Sequence, residues 1–301
     1  MRTNKTIFFT LLFAFVNFVN AQNTWTGSVS TDWDNAGNWN TTGVTDRVPN
    51  STDNVIIPNV SNDPVINIPG AVCGALTIES SGLLTSNNPS NNLTATTIDV
   101  QSGGELSIEN GEITITGTST IAGTLNIGPT GLYDANGTFD ASTGTITMDG
   151  LGRLEVSGTV IALGTLDDGA GTVEYDGGTQ NVLADDYFNL EIDQSGTKTA
   201  QGTITAAGTL TVQNGATYDL VATTTTVTGT STIAGSINID GSGVYDGNGD
   251  FAATGSITMD GTARLQLSAA GSGVSNLGTL DDAAGTVEYD GGTQNVLADD
   301  Y

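Results

Sequence analysis

An internal repeat limits what this chain can fold into more than any other feature. Residues 164–187 read GTLDDGAGTVEYDGGTQNVLADDY, and residues 278–301 repeat them with only Gly169 exchanged for Ala283. The likeness extends upstream: GTSTIAGTLNI (117–127) recurs as GTSTIAGSINI (229–239), and Arg153-Leu154 recurs as Arg264-Leu265. The body is therefore two copies of a module of about 112–114 residues. Within each copy a shorter beat runs. Gly-Thr/Ser-aliphatic triplets begin at Gly123, Gly144 and Gly164, and again at Gly235, Gly255 and Gly278, with spacings of 20 to 23. Between them lie alternating patches such as Ile113-Thr114-Ile115 and Leu154-Glu155-Val156. Apolar–polar alternation over a few residues marks half-buried strands, and Gly, Asn and Asp mark the turns between them.

Short strands on a beat of about 20 residues predict an all-β chain wound as a parallel β-helix (β-solenoid), each coil stacking on the last. Tandem β-sandwich modules are the alternative, because the 112-residue period alone would suit them. The expected divisions are a signal peptide over 1–21, a Trp-rich N-terminal cap module over 22–70, solenoid module 1 over 71–187 and module 2 over 188–301. The second copy stops at Tyr301, where the first runs from Tyr187 into the strand-like Phe188-Asn189-Leu190-Glu191-Ile192. This predicts a fragment of a longer open reading frame.

The first residues carry Arg2 and Lys5, then the apolar run from Ile7 to Val19, then Val19-Asn20-Ala21. That order reads as a cleaved export signal, with a mature start at Gln22 and an extracellular or cell-surface destination. The apolar run is short for a membrane span, and no later segment could cross a bilayer as a helix. The mature chain keeps four bases, Arg47, Arg153, Lys198 and Arg264, against 33 acids. Nucleic acid is excluded as a partner, since phosphate neutralisation needs Lys and Arg. With His 0 in the composition, His-dependent triads and His metal sites are excluded as well. Cys73 is the one cysteine, so no intramolecular disulfide forms, and its place at an apolar strand start suits a small buried side chain.

All three tryptophans fall in the first mature segment, Trp25, Trp33 and Trp39. They suit either a plug over the open end of the solenoid or a platform on which sugars stack. The run W-T-G-x5-D-W-x4-N-W, then P-x3-D-x-V-I-I-P, resembles the N-terminal module of large secreted bacterial β-strand-repeat proteins. Residues 171–212 resemble their repeat, G-T-V-x-Y-x-G…Q-x-V…Y-x-N-L…G-x-K-T…G-x-L-T-V. The resemblance implies an adhesin-like, exported protein of the type IX-secreted kind, kept at the surface by a C-terminal sorting domain. It carries no catalytic residues.

Asp246-Gly247-Asn248-Gly249-Asp250 resembles the start of a calcium loop, which makes Asp246, Asn248 and Asp250 candidate metal ligands. The sixth and twelfth positions, Phe251 and Ile257, depart from an EF-hand, so a turn with weak Ca²⁺ binding is expected at most. No other cofactor is expected. The pairs Asp167-Asp168, Asp185-Asp186, Asp281-Asp282 and Asp299-Asp300 read as solvated turns, and Thr223–Thr226 as an exposed threonine ladder. Arg153 and Arg264 read as ion-pairing residues. The function that follows is a non-catalytic surface repeat protein, a structural or adhesive rod whose partners are surface glycans or other surface proteins. The second reading is a carbohydrate-binding or polysaccharide-processing accessory that uses the tryptophans.

Overall fold

The computed structural model describes residues 21–269 and 273–298. The expected export signal lies outside that range but for Ala21, as do Asp299-Asp300 and Tyr301. The described chain is all-β apart from one 3-10 turn at Ala36–Asn38, and it winds as a solenoid of about 12 turns. Neighbouring coils pair in parallel. The tandem sandwich is overturned by this pairing, since sandwiches are built from antiparallel strands. The one antiparallel pair among the described residues lies at the N-terminal end, where Trp39–Thr41 runs against Gln22–Trp25.

Each coil contributes strands to three parallel ladders, which form three faces. The first face runs from the start of Ala71–Ile78 through Glu112–Ile115, Leu132–Ala135, Arg153–Val156, Thr172–Tyr175 and Asn189–Ile192 to the start of Val274–Asp281. The second begins at Gln22–Trp25 and Asn54–Ile57 and proceeds through Ser119–Ile121 and Phe139–Asp140 to Val160–Ala162. It resumes at Gln180–Val182 and runs through Gly196–Ala200 and Ala216–Val221. The third runs from Val65–Ile66 to Thr165–Asp167 and resumes from Asp186–Tyr187 to Thr286–Tyr289.

Alternation supplies the core. Glu112–Ile115, Thr124–Ile127, Leu132–Ala135 and Thr145–Met148 all bury every second residue. The inward side chains form a single apolar cluster from Trp25 to Leu277. Buried phenols keep their hydroxyls paired inside it, as burial demands. Tyr133 donates to Ser119 at 2.8 Å, and its counterpart Tyr245 donates to Ser231 at 2.8 Å. The expected exposed threonine ladder is corrected in part: Thr225 points inward and pairs with the Tyr218 hydroxyl at 2.8 Å, because alternation within Thr224–Val227 sends every second threonine to the core.

The two sequence copies do not lie on the same faces. Ser119–Ile121 belongs to the second face, but its copy Ser231–Ile233 belongs to the first. Leu132–Ala135 and Arg153–Val156 belong to the first, whereas Val244–Gly247 and Arg264–Leu267 belong to the third. Ser119–Ile121 is the tenth strand and Ser231–Ile233 the twenty-seventh, so the repeat is 17 strands long. With three strands per coil this is two-thirds of a turn beyond five coils, and the second copy is set round the axis accordingly.

Candidate functional site

At the N-terminal end the three tryptophans pack edge to face. Trp25 and Trp33 each meet Trp39, at centroid distances of 4.9 and 4.8 Å. Trp25 Nε1 donates to the Asn62 carbonyl at 2.7 Å and Trp39 Nε1 to the Trp33 carbonyl at 2.8 Å. All three side chains are at most 1% exposed, so none presents a ring face to a sugar. The cluster is tied down by a buried carboxylate. Asp53 accepts from Arg47 Nη2 at 2.7 Å, from the Asn50 backbone at 2.9 Å and from the Asn23 amide at 3.3 Å. It thereby joins the first strand, the 47–50 loop and the coil that starts at Asn54. Sequence reasoning missed this hub; the aspartate of the P-x3-D motif directly before an apolar strand was the available signal.

The first face carries a column of acids. Asp134, Glu155, Glu174 and Glu191 stand in direct register on successive strands. Like charges so placed repel. Arg153 offsets them, forming ion pairs with Glu155 at 3.2 Å, with Glu191 at 3.0 Å and with the buried Glu174. In the second copy Gln266 replaces the Glu155 equivalent, and Arg264 pairs with Glu288. Both arginines thus act as the sequence reading expects. Carboxylate oxygens of Glu174, Glu191 and Asp193 also lie within 4.8 Å of one another, which is close enough to share a metal ion, but the Arg153 guanidinium already contacts the two glutamates.

Asp246, Asn248 and Asp250 follow one another along the third face and the corner beyond it. Asp246 is half-buried and accepts from Thr226 at 3.4 Å; Asn248 is exposed and accepts from Ser268 at 2.7 Å; Asp250 is exposed and its carbonyl accepts the Ser231 N–H. Their polar atoms thus face partners on neighbouring coils. Among the aspartate pairs Asp167 and Asp186 are exposed, but Asp168 is buried and accepts the Phe188 N–H. Cys73 is buried, which pushes its thiol up to about 12 and keeps it protonated. Lys198 was not singled out by sequence. Its stem is buried in the inward phase of Gly196–Ala200, and its ammonium donates to the carbonyls of Asp193 and Gln194. It pins a turn in which Gln194 takes a left-handed φ of 55°. Burial lowers its pKa.

Burial also lifts the carboxyl groups of Asp134, Glu155, Asp168, Asp185 and Asp219 above their ordinary range. A carboxyl whose folded-state pKa is raised is ionised at a cost to the native state. As pH falls from neutral through those raised values toward the unfolded value of about 4, the folded chain takes up protons first and gains stability. Asp140 and Glu288, held low by hydrogen bonds from Ser142 and Arg264, oppose this only at more acid pH. The melting temperature by calorimetry is therefore expected to be higher near about pH 5 than near about pH 8. A melting temperature lower near about pH 5 than near about pH 8 would show that these five carboxyl groups are not desolvated.

Residues 24–129 match a family model described as a domain of unknown function (DUF8693), which runs from the tryptophan segment into the first coils. No curated protein matches the chain. Among solved structures, the crystal structure of a TibC-catalyzed hyper-glycosylated TibA fragment is similar, at 15% identity, with a TM-score of 0.37, over 80% of this chain and 90% of that one. No helix among the described residues is long and apolar enough to cross a membrane.

Proposed function

We propose that this protein is a non-catalytic, exported surface repeat protein that serves as a structural or adhesive rod. The observation that carries this reading is the single core running through stacked coils from Trp25 to Leu277, with short polar and acidic side chains turned outward on each face. Such a solenoid spreads its stability over nearest-neighbour coils and offers long lateral surfaces for partners. Surface glycans and other surface proteins are the partners that fit; the buried tryptophans favour an end plug over a sugar platform. The test is protease shaving of intact producing bacteria. Peptides from the body of the chain should be released, and the mature N-terminus should be Gln22. Recovery of the chain only after lysis, with Met1 retained, would sink the reading. Deleting the gene should reduce attachment of the cells to surfaces.

Weak calcium binding at the acidic turns, including Asp246, Asn248 and Asp250, belongs to the same reading. Millimolar calcium is then expected to raise the midpoint of thermal unfolding, read by far-UV circular dichroism, relative to EDTA. An unchanged midpoint would leave Asp246 and Asn248 as links between neighbouring coils, with no role for calcium.

A further inference from the structure

Two of the three ladders stop at the same coil. Val160–Ala162 does not pair with Gln180–Val182, and Thr165–Asp167 does not pair with Asp186–Tyr187. Every other pair of neighbouring coils among the described residues is bonded along these faces. Only the first face is continuous here, through Arg153–Val156 and Thr172–Tyr175. A cavity of about 310 Å³ opens at the break, lined by residues 157–160 and 179–181. We infer that this break is a built-in joint, at which the second and third faces open together while the first face holds the two halves of the rod.

The break is bridged by side chains in place of backbone ladders. The buried Gln180 amide donates to the Val156 carbonyl at 2.7 Å and the Gly158 carbonyl at 2.8 Å, and it accepts the Gly177 N–H at 2.6 Å. Within the coil beyond the break, Tyr175 and Tyr187, with hydroxyls 3.0 Å apart, hold the N–H and carbonyl of Leu183 from inside and brace the unpaired side of that coil. Asp168 reaches across the third face to the Phe188 N–H. These bridges fall in the segment that is nearly identical between the two copies, 164–187 and 278–301. In the second copy Gln294 donates to the Leu267 carbonyl at 2.8 Å, as Gln180 does to Val156. The glutamine bridge is thus a feature of the repeat. A stretch with few backbone ladder bonds opens at a lower free energy than its surroundings, and in a stacked array each coil is held only by its neighbours.

Hydrogen exchange of the full chain, read by mass spectrometry, tests this. Peptides covering 159–167 and 179–187 should exchange together, at least about tenfold faster than those covering 132–148 and 204–221. Gln180→Ala should raise the exchange of both joint peptides further and leave the flanking coils unchanged. Joint peptides as protected as their neighbours in the unaltered chain would overturn the proposal, whatever the variant does. So would exchange of the two joint peptides at unrelated rates, because the two faces would then not open as one.

Discussion

Replacing Asp53 by alanine is expected to lower the stability of the N-terminal segment by about 3 kcal/mol, while the coils beyond it melt almost as before. The figure sits at the low end for breaking a buried ion pair because Arg47 remains partly in water and can be solvated once its partner is gone. The Asn50 N–H and the Asn23 amide also lose their acceptor. The measurement is direct, since every tryptophan of the chain lies between residues 25 and 39. Tryptophan fluorescence therefore reports this segment alone, and far-UV circular dichroism reports the whole rod. In denaturant the D53A fluorescence midpoint should fall well below the dichroism midpoint. If the two midpoints fall together, the segment and the coils form one cooperative unit, and Asp53 does not act locally.

Gly137→Ala is expected to be more damaging, on the order of 4 kcal/mol or enough to prevent folding. At one corner of the coils glycines stack directly over one another. A Cβ on Gly137 would lie 2.1 Å from the Gly117 carbonyl oxygen, and one on Gly158 would lie 2.0 Å from that of Gly137. Those are backbone atoms at a corner between paired strands, so a Cβ at either distance forces the backbone itself to shift. The second copy has the same stack, where a Cβ on Gly249 would lie 2.1 Å from the Gly229 oxygen. Gly178→Ala is the matched control, as a Cβ there meets nothing within 4 Å; its effect should stay within about 0.5 kcal/mol. Equal melting temperatures for the two variants would show that the coils can spread at that corner.

Much of the architecture was legible in the sequence because alternation is a local signal. Ile113 and Ile115, or Leu125 and Ile127, declare their inward phase without reference to the rest of the chain. The Gly-Thr-aliphatic triplets mark the corners before strands such as Thr124–Ile127 and Thr145–Met148. What escaped were residues whose type contradicts their phase. Lys198 alternates inward with Ala200, yet a lysine reads as exposed until its two carbonyl partners are seen. Asp168 reads as a turn acid for the same reason, and its donor, the Phe188 N–H, lies 20 residues along the chain, where the sequence does not place it beside the carboxylate. The break in two ladders was hidden differently. Val160-Ile161-Ala162 does break the alternation and leaves Ile161 exposed, but only the three-dimensional register reveals that the strands do not meet.

The 17-strand repeat has a consequence for how such a rod meets its surroundings. Because the unit is not a whole number of coils, the ion pair at Arg153 and the one at Arg264 look out in different directions. Any feature tied to the repeat is displayed as on a screw thread, returning to the same compass bearing only after three units. A flat partner lying along one side would then touch a given feature at every third unit. A partner that winds round the shaft could touch each one. The same screw keeps like-charged acidic columns from lining up into one long stripe.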